Sequence, residues 1–331
     1  MQKPDIENLF SAFKGMPVAV IGDMMLDTYV WGHVERISPE APVPIVRVHR
    51  TDHRIGGAGN VALNLAALGA DVSVLSMVGA DPQGSRLRQM LESAGIGTVH
   101  LLESRSRRTT EKTRVMGRNQ QMVRLDSEIT EDLSGEEEQR LMSSLEGLFR
   151  DSLPRILIFE DYDKGVLTGN VIGRALTSCR AAGVMTAVDP KRKNFFAYRG
   201  VDIFKPNLKE VREALGLPDG EVDTDVLMDM HRRLKERLNH SVSLITLSEK
   251  GVFHACGEGA GVIESHRRDI SDVSGAGDTV IAAVALAYAA TSDVGLSAAV
   301  ANIAGGLVCE EVGTVAVDGN RLLEECKRLL G

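Results

Sequence analysis

Short apolar runs alternate with helix-like stretches along almost the whole chain. The run PVAVI at 17–21 stops at Gly22-Asp23, as a buried strand does. Residues 61–68 repeat apolar positions at helical spacing and end at Gly69, a residue suited to a helix C-cap. The pattern predicts a strand over 71–78 and a helix over 84–94. Further strands are predicted over 155–159, 184–188, 202–204 and 242–247, with helical patterns between them and a mostly helical C-terminal third. Strands alternating with helices predict an α/β fold, a doubly wound and mostly parallel sheet covered on both faces.

Two stretches break this rhythm. Residues 43–49 and 109–124 alternate apolar and polar positions with no helix between, which fits short, half-exposed antiparallel strands. They predict a small β-sheet built from insertions near 29–50 and 105–125 and projecting from a single domain over 1–331. Such a sheet serves as a lid, as a dimer surface, or as decoration.

Composition narrows the function classes. A chain of 331 residues buries a core without staples. Its net charge of −8 opposes nucleic-acid binding, which needs a positive face. Cys179, Cys256, Cys309 and Cys326 form no CxxC pair and have no histidine at metal-ligand spacing, so they are expected as reduced core thiols. The N-terminus lacks a secretory pattern, and the most apolar stretch, 280–290, is shorter than the ~20 residues a membrane helix needs. A cytoplasmic protein with no membrane partner is expected.

The chemistry concentrates in three places. Ser274-Gly275-Ala276-Gly277-Asp278-Thr279 runs into the helical pattern of 280–290, with Ser274 in the position of an N-cap. Small residues there expose backbone N–H groups at a helix N-terminus, which favours an anion. Asp278 beside that site would repel a phosphate but could serve as the base for an attacking hydroxyl. A plain glycine-rich turn with a helix-start aspartate remains the other reading. The second place is Gly56-Gly57-Ala58-Gly59-Asn60. It fits a loose GxGxxA fingerprint, but residues 51–55 do not read as the strand that fingerprint requires. Close approach to a polyhydroxylated ligand bonded by Asn60, or simple helix packing, are the alternatives. The third is Gly22–Asp27, where Asp23 and Asp27 follow a strand's C-terminal end and could accept from sugar hydroxyls.

The two glycine clusters, with Asp272-Val-Ser-Gly-Ala-Gly-Asp278, resemble the ribokinase-like (PfkB) family of carbohydrate kinases over nearly the whole chain. Runs 22–27, 36–44, 118–121 with 124–126, 189–191, 206–207 and 272–281 are most similar to its branch acting on D-glycero-β-D-manno-heptose 7-phosphate at O1. The resemblance implies ATP and Mg²⁺ as cofactors, Asp278 as base and Gly275, Ala276 and Gly277 as the anion hole. It implies that Asn207-Leu208-Lys209-Glu210 is the family's NxxE motif, with Glu210 toward Mg²⁺. Lys191, Ser248, Gly251 and Asn302 then lie around the nucleotide. Ser248 departs from the family's TxGxxG turn, which has glycine there. The resemblance further implies a homodimer through the lid strands and a role in supplying heptose for lipopolysaccharide or related glycans. Another sugar or a nucleoside remains the alternative acceptor.

A phosphorylated sugar needs cations of its own. Arg105, Arg107, Arg108, Lys112, Arg114 and Arg118 crowd the expected lid. Arg118, with Asn119 and Lys112, is the candidate grip for the sugar phosphate, because Arg matches phosphate oxygens bidentately. Lys164, at a strand's end, is a further candidate.

Overall fold

The computed structural model describes residues 5–117, 120–257, 259–266 and 268–331. The first elements are α1 (Ile6–Phe13), β1 (Pro17–Gly22), β2 (Met24–Ile37), β3 (Pro44–Gly57), α2 (Ala58–Ala67), β4 (Asp71–Gly79), α3 (Pro82–Ser93) and β5 (Leu101–Ser104). Next come β6 (Thr110–Gly117), β7 (Gln120–Ser127), α4 (Gly135–Asp151), β8 (Ile156–Glu160), α5 (Gly169–Ala182), β9 (Met185–Asp189) and β10 (Ile203–Phe204). The chain closes with α6 (Leu208–Leu215), α7 (Thr224–Leu238), β11 (Val242–Thr246), β12 (Val252–Cys256), β13 (Gly259–Ile263), α8 (Ala276–Thr291), α9 (Val294–Val308) and α10 (Gly319–Leu330).

Nine strands form the main sheet in the order β13-β12-β11-β10-β9-β8-β1-β4-β5, parallel from β11 to β5 and antiparallel at β12 and β13. Its central strands are buried on both faces, which is why they read as unbroken apolar runs. Val18 and Val20 of β1 join one core with α1, α2, α8, α9 and α10. Ala19 and Ile21 join the other, with α4, α5 and α7. Helix α8 is Ala-rich and almost wholly buried, because it packs between α1, α2 and α9 and the sheet strands β8 and β9.

The small sheet is present, in the order β3-β2-β6-β7, and is larger than expected. β2 and β3 are long strands of 14 residues each, and β2 pairs with β6 in parallel, not antiparallel. Residues 51–55, which did not read as strand, belong to β3 and lead straight into α2. Residues 51–54 are all polar, with His53 bonded to Thr28 on one face and Arg54 paired with Asp27 on the other, so no apolar alternation marks them. This strand lies in the lid, antiparallel to β2, so it is not the parallel strand of a dinucleotide fold. Of the cysteines, Cys179 and Cys326 are core thiols, whereas Cys256 is exposed and Cys309 half-buried. Among the described residues no helix is long and apolar enough to cross a membrane.

Candidate active site

The parallel strands each deliver side chains at their C-terminal edge, the edge where open α/β sheets bind ligands. β1 leads to Asp23, β8 ends in Glu160 with Tyr162 beyond it, β9 ends in Asp189 followed by Lys191, and β10 leads to Lys205 and Asn207. The start of α8 comes down onto this edge.

Asp278 sits in the first turn of α8 and is 4% exposed. Gly275, not Ser274, is the N-cap residue, at φ 81°. The Ser274 hydroxyl instead donates to Asp272 (2.8 Å), so the glycine is free to take the left-handed conformation that turns the chain into the helix. A methyl group on Gly275 would come within 2.8 Å of the Asn60 amide nitrogen. The Ala276 N–H donates to the Val273 carbonyl (3.3 Å), which leaves the first-turn N–H groups of Gly277 and Asp278 to offer an anion hole.

Two donors clasp the Asp278 carboxylate. Asn60 Nδ2 donates to Oδ2 and the Tyr162 hydroxyl to Oδ1, both at 2.7 Å. Burial pushes the Asp278 pKa up to about 6 against these two hydrogen bonds, with Asp189 adding to the rise and Lys205 opposing it. A base titrating there is largely ionised at neutral pH and still able to take a proton.

Asp278, Asp189 and Glu160 bring carboxylate oxygens within 4.8 Å of one another. Lys205 supplies this cluster with a cation, its ammonium 2.7 Å from Asp189 and 98% buried. Glu160 is wholly buried and neither of its oxygens has a hydrogen-bond partner. Burial, then the charges of Asp189 and Asp278, raise its pKa far above the usual range, so it stays protonated.

The remaining candidates divide between two faces. Asn207 caps α6 and accepts from the Glu210 N–H (2.8 Å), while Glu210 reaches back to the Asn207 N–H (2.8 Å) and to Lys191 Nζ (2.9 Å). Glu210 keeps some exposure, which fits an ion held by one carboxylate plus phosphate oxygens and water, the usual mode of Mg²⁺. Asn207, Leu208, Lys209 and Ser248 line a common pocket of about 470 Å³ with Arg212 and Lys250. Ser248 holds φ 56°, the left-handed region a glycine enters without strain. Gly251 is not in that lining. It turns the chain at φ 96° so close to Ile263 that a methyl would lie 2.0 Å from its carbonyl oxygen. Asn302 donates to the Glu264 carbonyl (2.9 Å) beside it.

On the lid side, strand register sets Asp27 beside Lys112 and Arg54, and Tyr29 beside Arg114. Arg114 bonds Asp27 at 2.5 Å and lies over the Tyr29 ring, which Arg54 covers as well. Gly56 is bare because a methyl there would stand 2.4 Å from Asp27 Oδ2, and Gly57 because one would stand 2.4 Å from the Asp23 carbonyl. Lys112 stands 3.9 Å from Asp126, and Lys164 Nζ 2.8 Å from Glu128. Arg118 and Asn119 lie outside the described residues.

Two assigned residues have other uses here. Asp23 is 1% exposed and accepts the backbone N–H groups of Tyr162, Lys164 and Val166 at 2.9–3.1 Å, so its carboxylate holds the loop after β8. Asn60 is wholly buried and spends its amide on Asp278. Sequence reasoning missed Tyr162, Glu160, Asp189, Lys205 and Arg114 as site residues. All but Arg114 stand at C-terminal strand edges, and that placement was the available signal.

The model of the pfkB family carbohydrate kinases matches residues 17–318. The chain is 41% identical over 327 residues to a "Bifunctional protein HldE" of Citrifermentans bemidjiense, covering 98% of this chain and 66% of that protein. It is 39% identical to the HldE of Geobacter sulfurreducens, covering 96% and 64%. The chain thus spans somewhat under two thirds of the length of these curated relatives. In fold it is similar to ribokinase of Arabidopsis thaliana, solved with ribose and ATP (TM-score 0.73, 17% identity, 94% of this chain and 99% of that one). It is also similar to phosphofructokinase-2 of Escherichia coli, solved with fructose-6-phosphate (TM-score 0.76, 16% identity, 96% and 99%). With the family model matched across residues 17–318 and a buried aspartate at a glycine-rich helix start, the protein belongs to the pfkB family of carbohydrate kinases.

Proposed function

We propose that this kinase transfers the γ-phosphoryl group of ATP to O1 of D-glycero-β-D-manno-heptose 7-phosphate, giving the 1,7-bisphosphate. The observation that carries the chemistry is the Asp278 carboxylate, clasped by Asn60 and Tyr162 next to the N–H groups of a glycine-rich helix start. The substrate rests on the resemblance of runs such as 36–44 and 118–121 to the heptose-phosphate branch, and on the HldE relatives.

Asp278 takes the proton of the sugar hydroxyl as its oxygen attacks phosphorus. The transferred group, in a loose and negatively charged transition state, meets the N–H groups of Gly277 and Asp278. Lys191, Asn207–Glu210, Ser248, Gly251 and Asn302 serve the nucleotide side. Mg²⁺ neutralises phosphate charge when bound, with Glu210 as the residue that would hold it. Asp27 and the Gly56-Gly57 backbone serve the sugar. Lys112 and Lys164, with Arg118 and Asn119, serve its phosphate. Lid closure keeps water from competing as the acceptor.

The lid's outer face carries exposed Val48, Val123 and Leu125, apolar surface that a second copy would cover, and we assign the homodimer to it. Sedimentation as a monomer at micromolar concentration would exclude that dimer. The product suits supply of activated heptose for lipopolysaccharide or related glycans. An ADP-release assay with ATP, Mg²⁺ and a panel of sugars and sugar phosphates tests the acceptor. Turnover with a free hexose or nucleoside, and none with heptose 7-phosphate, would move the function to another sugar or nucleoside kinase.

A further inference from the structure

The Asp278 carboxylate stands on the first turn of α8, buried at 4% exposure. Its orientation comes from two side chains on opposite sides of the site, Asn60 from α2 and Tyr162 from the loop after β8. Each takes one lone pair of one oxygen, which leaves lone pairs on both oxygens for a substrate hydroxyl. Tyr162 is itself fixed in three ways. Its backbone N–H donates to Asp23 Oδ2 (2.9 Å), its ring carries the Lys191 ammonium at 5.4 Å, and the loop beyond it is tight. Asp163 holds φ 55° there, and Gly165 sits where a methyl would stand 2.1 Å from the Glu131 carbonyl. That much constraint on a loop positions something, and the group it positions is the phenol on Asp278.

We propose that Tyr162 is a positioning residue for the base, its O–H holding the Asp278 carboxylate toward the acceptor and favouring its ionised form, with Asp23 acting through it as the strut. This rests on Asp278 being the base, and not on which sugar is the acceptor. Tyr162 remains a neutral phenol and hence a donor, because burial and the charges of Asp278, Glu160 and Asp189 raise its pKa. The other charged groups facing Asp278 are Glu160 from β8, Asp189 and Lys191 from β9 and beyond, and Lys205 after β10. None of them touches the two carboxylate oxygens as a donor in place of Tyr162 and Asn60.

Tyr162→Phe keeps the ring and removes the donor. A hydrogen bond to an ionised group is worth a rise of about 1–2 pH units in the acid's pKa when it is lost. The carboxyl ¹³C signal of Asp278, assigned by its loss in Asp278→Asn, is titrated in ligand-free enzyme. A rise of that size in Tyr162→Phe supports the proposal, and an unmoved titration overturns it. This readout needs no turnover, so it stands if the heptose assignment fails. With any accepted sugar, the acidic limb of kcat/KM should move up by the same amount while KM for ATP holds. If Tyr162→Phe does not fold, a fluorinated tyrosine incorporated at 162 provides the opposite perturbation. A more acidic phenol donates more strongly, so the Asp278 titration should move down; no movement overturns the proposal.

Discussion

Asp278→Asn separates the catalytic use of this residue from its structural cost. An aspartate's ordinary pKa is 3.8, and here burial, relieved in part by Asn60 and Tyr162, brings it to about 6. A raised acid pKa gives stability that is complete below pH 3.8 and lost as pH rises through 6. At about 1.4 kcal/mol per pH unit, the ionised carboxylate costs the fold about 3 kcal/mol at pH 8. Asparagine removes that charge at nearly the same volume. It still accepts from Asn60 through its oxygen, and the Tyr162 hydroxyl turns to accept from its amide. The pull of those two bonds on the charge is already contained in the pKa of about 6, so the variant recovers the whole of that cost. The variant should therefore be about 1–2 kcal/mol more stable than the parent at pH 5 and about 3 kcal/mol more stable at pH 8. Loss of a general base lowers kcat/KM about 10²–10⁴-fold, roughly 3–5 kcal/mol in the barrier. ADP release and thermal unfolding at both pH values read the two effects. Activity within about tenfold of the parent, or a lower Tm at pH 8, would refute the reasoning.

Three other perturbations probe the surrounding physics. Glu160 is held protonated by burial and its carboxylate neighbours, so its own contribution to the parent's stability falls as pH rises above 4.5, and Glu160→Gln removes that one contribution; the variant's Tm difference from the parent should shift in its favour from pH 5 to pH 8, and a constant difference would contradict this. Gly56→Ala drives a methyl against Asp27, at a cost of about 1–3 kcal/mol, and should raise KM for the sugar more than for ATP; an unchanged sugar KM would remove Asp27 from that subsite. Burial lowers the pKa of His240 to about 3, and its Nε2 bonds Ser243, which His231 also bonds. Stability from this neutral histidine is complete above pH 6.5 and lost as pH falls toward 3. Denaturant unfolding between pH 7 and 4.5 should therefore cost the parent about 2–3 kcal/mol more than His240→Gln, and parallel curves would refute it.

The main sheet was legible because both its faces are buried, so β1, β8, β9 and β11 appear as apolar runs. β2 was not, since Asp27, Thr28 and Tyr29 turn polar atoms to both sides of a lid strand and give no period-2 signal. Asp278 was legible from local spacing, because its helix and glycines are contiguous with it. Tyr162 and Lys205 reach the site from strands distant in sequence, and only the strand order β10-β9-β8-β1 brings them to α8. Asp23 shows the converse difficulty: a carboxylate at a strand edge reads the same from sequence whether it meets a ligand or three backbone N–H groups.

We propose that Asp278 activates the anomeric hydroxyl of a phosphorylated heptose. Phosphorus NMR of the enzyme with ATP, Mg²⁺ and D-glycero-D-manno-heptose 7-phosphate tests it most directly. A new anomeric phosphate signal beside the retained 7-phosphate and the signals of ADP is expected, formed by the parent and lost in Asp278→Asn. No such signal with the heptose, alongside ADP formation with an unphosphorylated hexose, would contradict it.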